Sequence, residues 1–205
     1  MQRAVSDEEK GRRRADILRA AKRVFAKKGF HGTTIADIAK AARLSYGSVY
    51  WYFDSKDTLF HAVMDNEEQA LRAHVWPHVL SAAGEGERPD PREIMRRAVQ
   101  ATFEYFEADK ASAKVLFRDS YAMGAQFEKH LFGIYERFVD DIESMIAEAQ
   151  KAQLIVQAPP RIVAFSVAAL IGQLALRRLT TSDGLEAAVL ADFVVSMTLD
   201  GLLPR

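Results

Sequence analysis

The sequence contains no cysteine, and only two of its 205 residues are tryptophan. The absence of thiols excludes disulfides and thiol catalysis, and it suits a reducing compartment. No run of about 18 apolar residues occurs, so no membrane span is predicted. The first ten residues include Arg3, Asp7 and Lys10 and form no apolar signal-peptide core. We therefore expect a cytoplasmic protein.

An excess of either charge is also missing, because 28 Lys and Arg residues balance 28 Asp and Glu residues. The distribution is uneven, however. Residues 1–60 carry 13 basic and 7 acidic side chains, whereas residues 61–205 carry 15 and 21. A basic N-terminal segment followed by an acidic remainder is typical of a protein that binds a polyanion. A solvated charged helix would give the same pattern, so charge alone leaves both interpretations open.

Apolar side chains recur at helical spacing along most of the chain, and no strand pattern or internal repeat is found. The helices are predicted at residues 12–28, 34–42, 46–52, 54 or 55–81, 92–108, 111–122, 127–151, 161–179 and 184–202. Pro77 predicts a bend in the fourth helix. Asp183 is expected to cap the last helix, with Glu186 at its third position. The predicted fold class is all-α, with about nine helices.

The segment from Thr33 to Phe53 is the most informative part of the sequence. It holds two very short helices separated by three residues, and these need helix 12–28 as a support to bury their apolar sides. The apolar positions have the spacing of inward-facing residues: Ile35, Ile38, Ala39, Ala42, Leu44, Val49 and Phe53. This arrangement predicts a helix-turn-helix, whose second helix fits the major groove of DNA.

The outward positions of the second short helix carry hydroxyls and rigid aromatic rings: Ser45, Tyr46, Ser48, Tyr50 and Trp51. Hydroxyls bond bases or phosphates, and Gly47 allows the backbone to come close. Thr33, Thr34 and Lys56 lie at helix N-termini, where backbone N–H groups favour phosphate. The alternative is an αα-corner whose aromatics are core residues. The four consecutive aromatics at 50–53 cannot all point inward, which favours the DNA-binding interpretation.

Three stretches together resemble the DNA-binding domain of the TetR family of bacterial regulators. They are residues 25–30 (FAKKGF), residues 33–39 (TTIADIA) and residues 45–60 (SYGSVYWYFDSKDTLF). The resemblance is close over about residues 12–60 and includes the family pattern formed by Gly47, Tyr50, Phe53 and Lys56, with two residues between each pair. It implies a DNA-binding domain at residues 1–54 and a helical regulatory and dimerisation domain at residues 55–205.

The resemblance also implies roles for individual residues. Tyr46, Gly47 and Ser48 are expected to face bases. Phosphate contacts are expected from Thr34, Ser45, Tyr50, Trp51 and Lys56. Arg43 departs from the family, because glycine is common at this turn position and a positive φ strains other residues. Either the turn differs slightly or Arg43 reaches a phosphate.

The last two helices are expected to form a four-helix bundle across a two-fold axis, as in the family. Helix 161–179 carries a stripe of small residues that permits close helix approach, namely Ala164, Ala168, Gly172 and Ala175. Helix 184–202 carries Leu185, Val189, Phe193 and Met197 along one face. We predict a homodimer with an isologous interface on these stripes. The alternative is that both stripes pack inside one protomer.

The middle helices are rich in bulky side chains, most of which are expected in the core. The resemblance implies that some line an apolar cavity for a small hydrophobic effector, and the candidates are Phe103, Phe106, Phe117, Arg118, Tyr121 and Phe138. Arg118 either meets an anionic head group or pairs with an acid. Binding is expected to favour a conformer whose recognition helices are wrongly spaced, which would release DNA.

The functional expectation is a ligand-responsive regulator, a repressor by resemblance, that binds double-stranded palindromic operator DNA. The alternative is a helical small-molecule-binding protein or an enzyme without sequence-specific DNA binding. His74 and His78 have the i, i+4 spacing of metal ligands, but Pro77 lies between them. No nucleophile elbow and no glycine-rich phosphate loop is found. We therefore expect no catalysis, no metal and no cofactor.

Overall fold

The computed structural model describes residues 7–83, 90–118, 125–179, 181 and 184–200, and of residues 83, 118 and 125–128 it describes the backbone alone. These residues form helices and connecting turns, without a strand in the described ranges. The helices are α1 (Asp7–Lys28), α2 (Ile35–Ala42), α3 (Tyr46–Tyr52), α4 (Lys56–Ala83), α5 (Pro91–Ala108), α6 (Lys110–Ala113), α7 (Ala125–Lys151), α8 (Pro160–Arg178) and α9 (Ala187–Leu199). A π-helical turn, Lys114–Arg118, directly follows α6. The prediction of an all-α fold is confirmed.

Helix α1 begins five residues earlier than predicted. Its first turn, Asp7 to Glu9, is acidic and its last turn contains Lys27 and Lys28, so both ends complement the helix dipole. Polar residues in a first turn carry no apolar periodicity, which explains why the sequence prediction began at residue 12. Gly29 ends the helix with φ of +72°, as expected for a residue just past a helix C-terminus.

The first hydrophobic core joins α1, α2 and α3 to the N-terminal half of α4. The inward positions predicted for the helix-turn-helix are confirmed, since Ile38 and Val49 are fully buried and Ala42 and Leu44 are half-buried. Phe60 from α4 packs edge-on against Phe25 of α1, with ring centroids 4.9 Å apart. Helix α4 thus belongs to this core and also continues into the helical body, so the domain boundary at residues 54–55 stays a prediction.

The body is built around a second core, formed by α4, α5, α8 and α9 with Ala113 of α6 and Leu116 of the π-helical turn. A small third cluster joins α7 and α8 through Val139, Ala164 and Ala168. The small-residue stripe predicted as a dimer surface on α8 therefore faces inward. Ala164, Ala168 and Ala175 are at most 3% exposed, and a Cβ placed on Gly172 would meet the ring of Phe117 at 3.7 Å. For α8, packing inside one protomer is the correct interpretation.

Helix α9 begins at Ala187 rather than at residue 184. Gly184 has φ of +69°, which a helix cannot contain, and Glu186 takes the cap position without a side-chain cap bond. The predicted third-position role of Glu186 is therefore wrong. Asp183, the predicted cap residue, lies outside the described residues.

Helix α8 is the one described helix long and apolar enough, by length and composition, to cross a membrane. The sequence search for an uninterrupted apolar run missed it, because charged and polar residues such as Arg161 and Gln173 interrupt the run. Core helices of globular proteins have the same length and apolar composition, so these two properties are weak evidence for a membrane span. Only 28% of its apolar window is buried in the protomer, which leaves an outer face that includes Ile162 and Phe165.

Candidate nucleic-acid interface and ligand cavity

The start of α2 is fixed by a reciprocal capping box. The Thr34 hydroxyl accepts a hydrogen bond from the Asp37 N–H at 3.1 Å, and the Asp37 carboxylate accepts from the Thr34 N–H at 3.1 Å. The same carboxylate pairs with Lys28 of α1 at 2.7 Å. The bond from Lys28, followed by the bonds from Thr34, lowers the pKa of Asp37 to about 2. Thr34 is exposed but is already engaged in this cap.

The turn between α2 and α3 contains Arg43 in the left-handed conformation, with φ of 58° and ψ of 40°. Its N–H bonds the carbonyls of Ala39 and Lys40, and Leu44 N–H bonds Ala39 at 2.9 Å. The turn therefore keeps the backbone path that glycine would favour and holds the exposed Arg43 in a conformation that costs energy for a side chain. The positive φ considered from the sequence is present at Arg43, and the phosphate contact of Arg43 stays a prediction.

We expect Arg43→Gly to raise the free energy of unfolding by about 0.5–1 kcal/mol, because relief of left-handed strain outweighs the extra freedom of glycine in the unfolded chain. Chemical denaturation measures this change. Gln153→Gly is a matched control, since Gln153 has φ of 56° just past the end of α7. Both variants should gain stability, whereas weaker DNA binding is expected from Arg43→Gly alone. A loss of stability in Arg43→Gly would show that the arginine side chain holds the turn.

Helix α3 is short and is held by one cap and one inward face. Ser45 accepts from the Ser48 N–H at 3.1 Å, and the two hydroxyls lie 2.6 Å apart. Val49 is fully buried and Phe53 is 5% exposed, so these two residues seat the helix on the first core. The opposite face is left to solvent.

Three large aromatic residues stand on that outer face. Tyr46 is 55%, Tyr50 39% and Trp51 63% exposed, which is unusual for side chains of this size. The tyrosine rings lie 4.9 Å apart, and the Tyr46 hydroxyl donates to that of Tyr50 at 3.2 Å. This bond raises the pKa of Tyr46. Lys10 of α1 lies over the Trp51 ring at 5.3 Å and adds positive charge beside it.

Gly47 and Ser48 complete the outer face. In the described part of the chain, Gly47 has no atom within 4 Å of the place where a Cβ would stand, so no described residue requires a glycine there. Ser48 is half-buried and its hydroxyl contacts that of Ser45. The face thus combines hydroxyls, ring edges and a bare stretch of backbone, which are groups that can read a groove.

Thr33 and Lys56, two of the predicted phosphate contacts, are engaged inside the protein. Thr33 is 1% exposed, and its hydroxyl donates to the Gly29 carbonyl at 2.6 Å. The Lys56 ammonium donates to the carbonyls of Phe30 and Thr33, both at 2.9 Å, and lies 4.3 Å from the Phe30 ring. The Thr33 side chain closes the turn before α2, and the Lys56 side chain fastens α4 to that turn, so the structure does not present them to DNA.

Two adjoining apolar cavities lie in the body. The large cavity, about 1020 Å³, lies between α4, α5 and the C-terminal half of α7. The small cavity, about 580 Å³, lies between α7, α8 and the π-helical turn. The two share lining residues: Leu71, Arg72, Thr102, Phe138 and Ile171. Arg72 is paired with Asp141, so the cation shared by both linings already has an acidic partner.

Of the predicted ligand residues, the structure brings three together. Phe106 and Phe117 line the small cavity, with ring centroids 5.2 Å apart, and Phe138 lines both cavities. Phe103 is 1% exposed in the second core and lines neither cavity, so it is a packing residue. The side chain of Arg118 and the whole of Tyr121 lie outside the described residues.

Apart from Phe138, the sequence interpretation did not single out the lining of the large cavity. Trp76 comes from α4, Ile94 and Met95 come from α5 and Leu154 follows α7, and these lining residues share no spacing pattern. The one signal in the sequence was Trp76, a large apolar residue beside Pro77 within a helix, and the structure leaves its side chain 52% exposed. A tryptophan at such a position indicates an opening in the packing, but it does not identify the other walls.

Helix α9 is apolar on both sides. Leu190, Ala191 and Val194 pack into the second core. The opposite face continues a stripe that starts just before the helix, and its members are 44–65% exposed: Leu185, Val189, Phe193 and Met197. A helix that is hydrophobic all round is normally buried. Among the described residues of one protomer, Val189, Phe193 and Met197 on this outer face are each about half exposed or more.

The geometry defines a helix-turn-helix regulatory protein with a cavity-bearing helical body. The family model for bacterial regulatory proteins of the tetR family matches residues 17–63, and the model for the tetracyclin repressor-like C-terminal domain matches residues 88–202. The second match alone spans more than half of the chain. The chain therefore belongs to the TetR family.

Among curated relatives, the HTH-type transcriptional regulator TtgR of Pseudomonas putida is 32% identical over 108 residues. The match covers 53% of this chain and 49% of TtgR, so the chain spans about half the length of this relative.

Solved structures resemble the chain over nearly its whole length. The FadR regulator of Bacillus subtilis, in complex with stearoyl-CoA, has a TM-score of 0.80 at 16% identity and covers 91% of this chain and 98% of its own. AibR, in complex with isovaleryl coenzyme A and operator DNA, has a TM-score of 0.71 at 21% identity, with coverages of 91% and 98%. At these identities the similarity shows the shared fold.

Proposed function

We propose that the chain is a homodimeric transcriptional repressor that binds pseudo-palindromic operator DNA through α3 and is released by a small hydrophobic effector. The observation that carries this proposal is the outer face of α3. Tyr46, Tyr50 and Trp51 remain exposed on a helix whose other side is firmly seated in a core. The uneven charge supports it, since the first 60 residues hold 13 basic and 7 acidic side chains while acidic side chains outnumber basic ones in the rest of the chain.

The proposed dimer interface is the outer face of α9 together with Ile162 and Phe165 of α8. Four large side chains at a spacing of four residues form the α9 stripe, and leaving such a stripe in water is unfavourable. Val189, Phe193 and Met197 of the predicted interface remain part of this proposal. A dimer is also required by the geometry of recognition, because one short helix contacts few bases and two helices about 34–36 Å apart read a palindrome.

The proposed effector site is the pair of cavities. The combined space is larger than the 300–1000 Å³ typical of a drug-sized ligand pocket, and the cavities meet at shared residues, so an elongated molecule fits them better than a compact one. The structural neighbours FadR and AibR were crystallised with coenzyme A thioesters. Acyl-CoA compounds are therefore the first class of effector to test.

The experiment for DNA binding is selection of duplexes from a random library by the full-length protein. We expect recovery of a sequence with two-fold symmetry, whose affinity falls steeply with salt because phosphate contacts release counterions. Mutation of one half-site should weaken binding. Absence of any enriched duplex at low salt would contradict the proposed function.

For the effector, we expect palmitoyl-CoA or isovaleryl-CoA to raise the melting temperature of the protein, with free coenzyme A as the negative control. Ala98→Phe, which places a ring in the large cavity, should reduce or remove the shift. A ligand at about 100 times its dissociation constant stabilises a protein by about 2.7 kcal/mol, so the loss is measurable. Ala41→Phe, at an exposed position of α2 remote from the cavities, is the control.

A ligand shift that survives unchanged in Ala98→Phe would place the ligand outside the large cavity. The same result in a variant that fills the small cavity would exclude both cavities as the effector site.

A further inference from the structure

A polar cluster is buried where the DNA-binding domain meets the body. Lys22 of α1 donates from Nζ to Glu67 Oε2 of α4 at 3.1 Å and to Asp109 Oδ2 at 2.7 Å. Ser112 of α6 donates to Glu67 Oε2 at 2.5 Å, and Tyr105 of α5 donates to the same oxygen at 3.1 Å. One lysine thus joins α1 to the body at two carboxylates.

The cluster is costly to disturb because its centre at Glu67 is removed from water, whereas the Asp109 side chain at its edge is 44% exposed. The Glu67 side chain is 3% exposed and Ser112 is fully buried. Burial opposes the charge on Lys22, but the bond to Asp109 and the charge of Glu67 outweigh it and raise the pKa of Lys22. For Asp109, burial is likewise outweighed by Lys22, and its pKa is lowered. A buried carboxylate without its cation is strongly unfavourable, so this contact holds α1 in one position.

The cluster continues along the chain to the small cavity. Asp109 caps α6 by accepting from the Ala111 N–H at 2.9 Å, and Ser112 lies within α6. The π-helical turn follows at once. In it, Val115 packs in the first core, Leu116 packs in the second core, and Phe117 lines the small cavity. Five residues therefore connect both cores and the cavity wall, and π-helical turns frequently mark functional sites.

We propose that Lys22 is a positioning residue which couples the small cavity to the DNA-binding domain through α6 and the π-helical turn. A ligand that displaces Phe117 shifts α6 and the π-helical turn. The contacts of Lys22 with Asp109 and Glu67 then rearrange, and the position of α1 relative to the body changes. This route runs beside α4 rather than along it. The inference rests on the proposed function, since its consequence is a change in operator affinity.

The test uses a substitution in place of the unidentified ligand. Gly172 faces Phe117, and its added Cβ would lie 3.7 Å from the ring. The further carbons of Gly172→Leu would therefore press the ring as a ligand would. Operator affinity is measured for Gly172→Leu alone and combined with Lys22→Met, using the duplex selected by the wild-type protein. This double-mutant cycle isolates the coupling between the two positions.

We expect Gly172→Leu to weaken operator binding about tenfold in the wild-type background and about twofold or less in the Lys22→Met background. Arg19→Met removes an equal charge from an exposed ion pair on the same helix, and it should leave the effect of Gly172→Leu intact. If Lys22→Met does not fold, Asp109→Asn replaces it, because asparagine still caps α6 while losing the charge that holds Lys22. Equal weakening in both backgrounds, or none in the wild type, would overturn the proposal.

A second readout separates this inference from the proposed function. Hydrogen exchange of the α1 backbone amides needs no DNA, and Gly172→Leu should accelerate it in the wild type but add nothing to Lys22→Met. If the wild-type protein selects no duplex, the proposed function fails while this measurement still decides the coupling. If it selects a duplex and neither readout depends on Lys22, the coupling alone is wrong.

Discussion

Phe193→Glu is expected to convert the dimer into monomers and to weaken operator binding about a hundredfold. Phe193 is 50% exposed at the centre of the α9 stripe, and a carboxylate buried there against a partner would be left without a cation. Each monomer would then bind one half-site. The loss of two base contacts worth about 1–3 kcal/mol each accounts for a hundredfold change. Analytical ultracentrifugation and gel shift measure the two effects.

Leu80→Glu is the matched control for this experiment. Leu80 is a large apolar residue on α4 whose side chain is 57% exposed, similar to that of Phe193, and it lines neither cavity. The control variant should sediment and bind DNA as the wild type does. A Phe193→Glu protein that stays dimeric would remove α9 from the proposed interface, even if its DNA binding were impaired.

Gly47→Leu is expected to abolish specific DNA binding while leaving the free protein folded. The site is open in the structure, and glycine is about 1 kcal/mol worse than alanine within a helix, so the free energy of unfolding should rise slightly. In a complex, however, the new side chain would occupy the space between the α3 backbone and the groove. We expect affinity for the selected duplex to fall about a hundredfold or more, because base contacts of about 1–3 kcal/mol each are lost together.

Gly11→Leu offers a comparison within the same chain. Gly11 is also an exposed helical glycine, it lies on α1, and an added Cβ would meet no atom of the described residues within 4 Å. It should show the gain in stability without the loss of DNA binding. Tight, sequence-specific binding by Gly47→Leu would mean that α3 does not approach DNA through this part of its backbone.

The sequence predicted the helix-turn-helix well because each of its signals is local. Thr34 and Asp37 form a capping box within four residues, and the apolar positions of α2 and α3 follow the helical period. Gly29 and Arg43 occupy the left-handed positions that close adjacent helices. Each of these features is set by a few neighbouring residues, so a one-dimensional pattern is enough to find it.

The sequence predicted the direction of side chains in the body less well. Small residues on α8 have the spacing of a helix-packing stripe, but spacing does not say which helix they meet, and the partners turned out to be α7 and the π-helical turn. Lys56 is basic and near a helix start, yet carbonyls of a turn more than 20 residues away take its hydrogen bonds. The charge and position of Lys56 predicted a phosphate contact, but in the structure its ammonium is occupied by these two backbone carbonyls.

Local periodicity and capping thus determined, by themselves, that this chain is helical and that α3 presents its hydroxyls and rings outward. The tertiary structure alone decided which apolar stripe stays bare, where the two cavities lie and that Lys22 meets Glu67, 45 residues away. The physical reason is that periodicity fixes the face of a helix on which a side chain stands. The free energy of burial depends on which other helix covers that face, and that partner comes from a distant part of the chain.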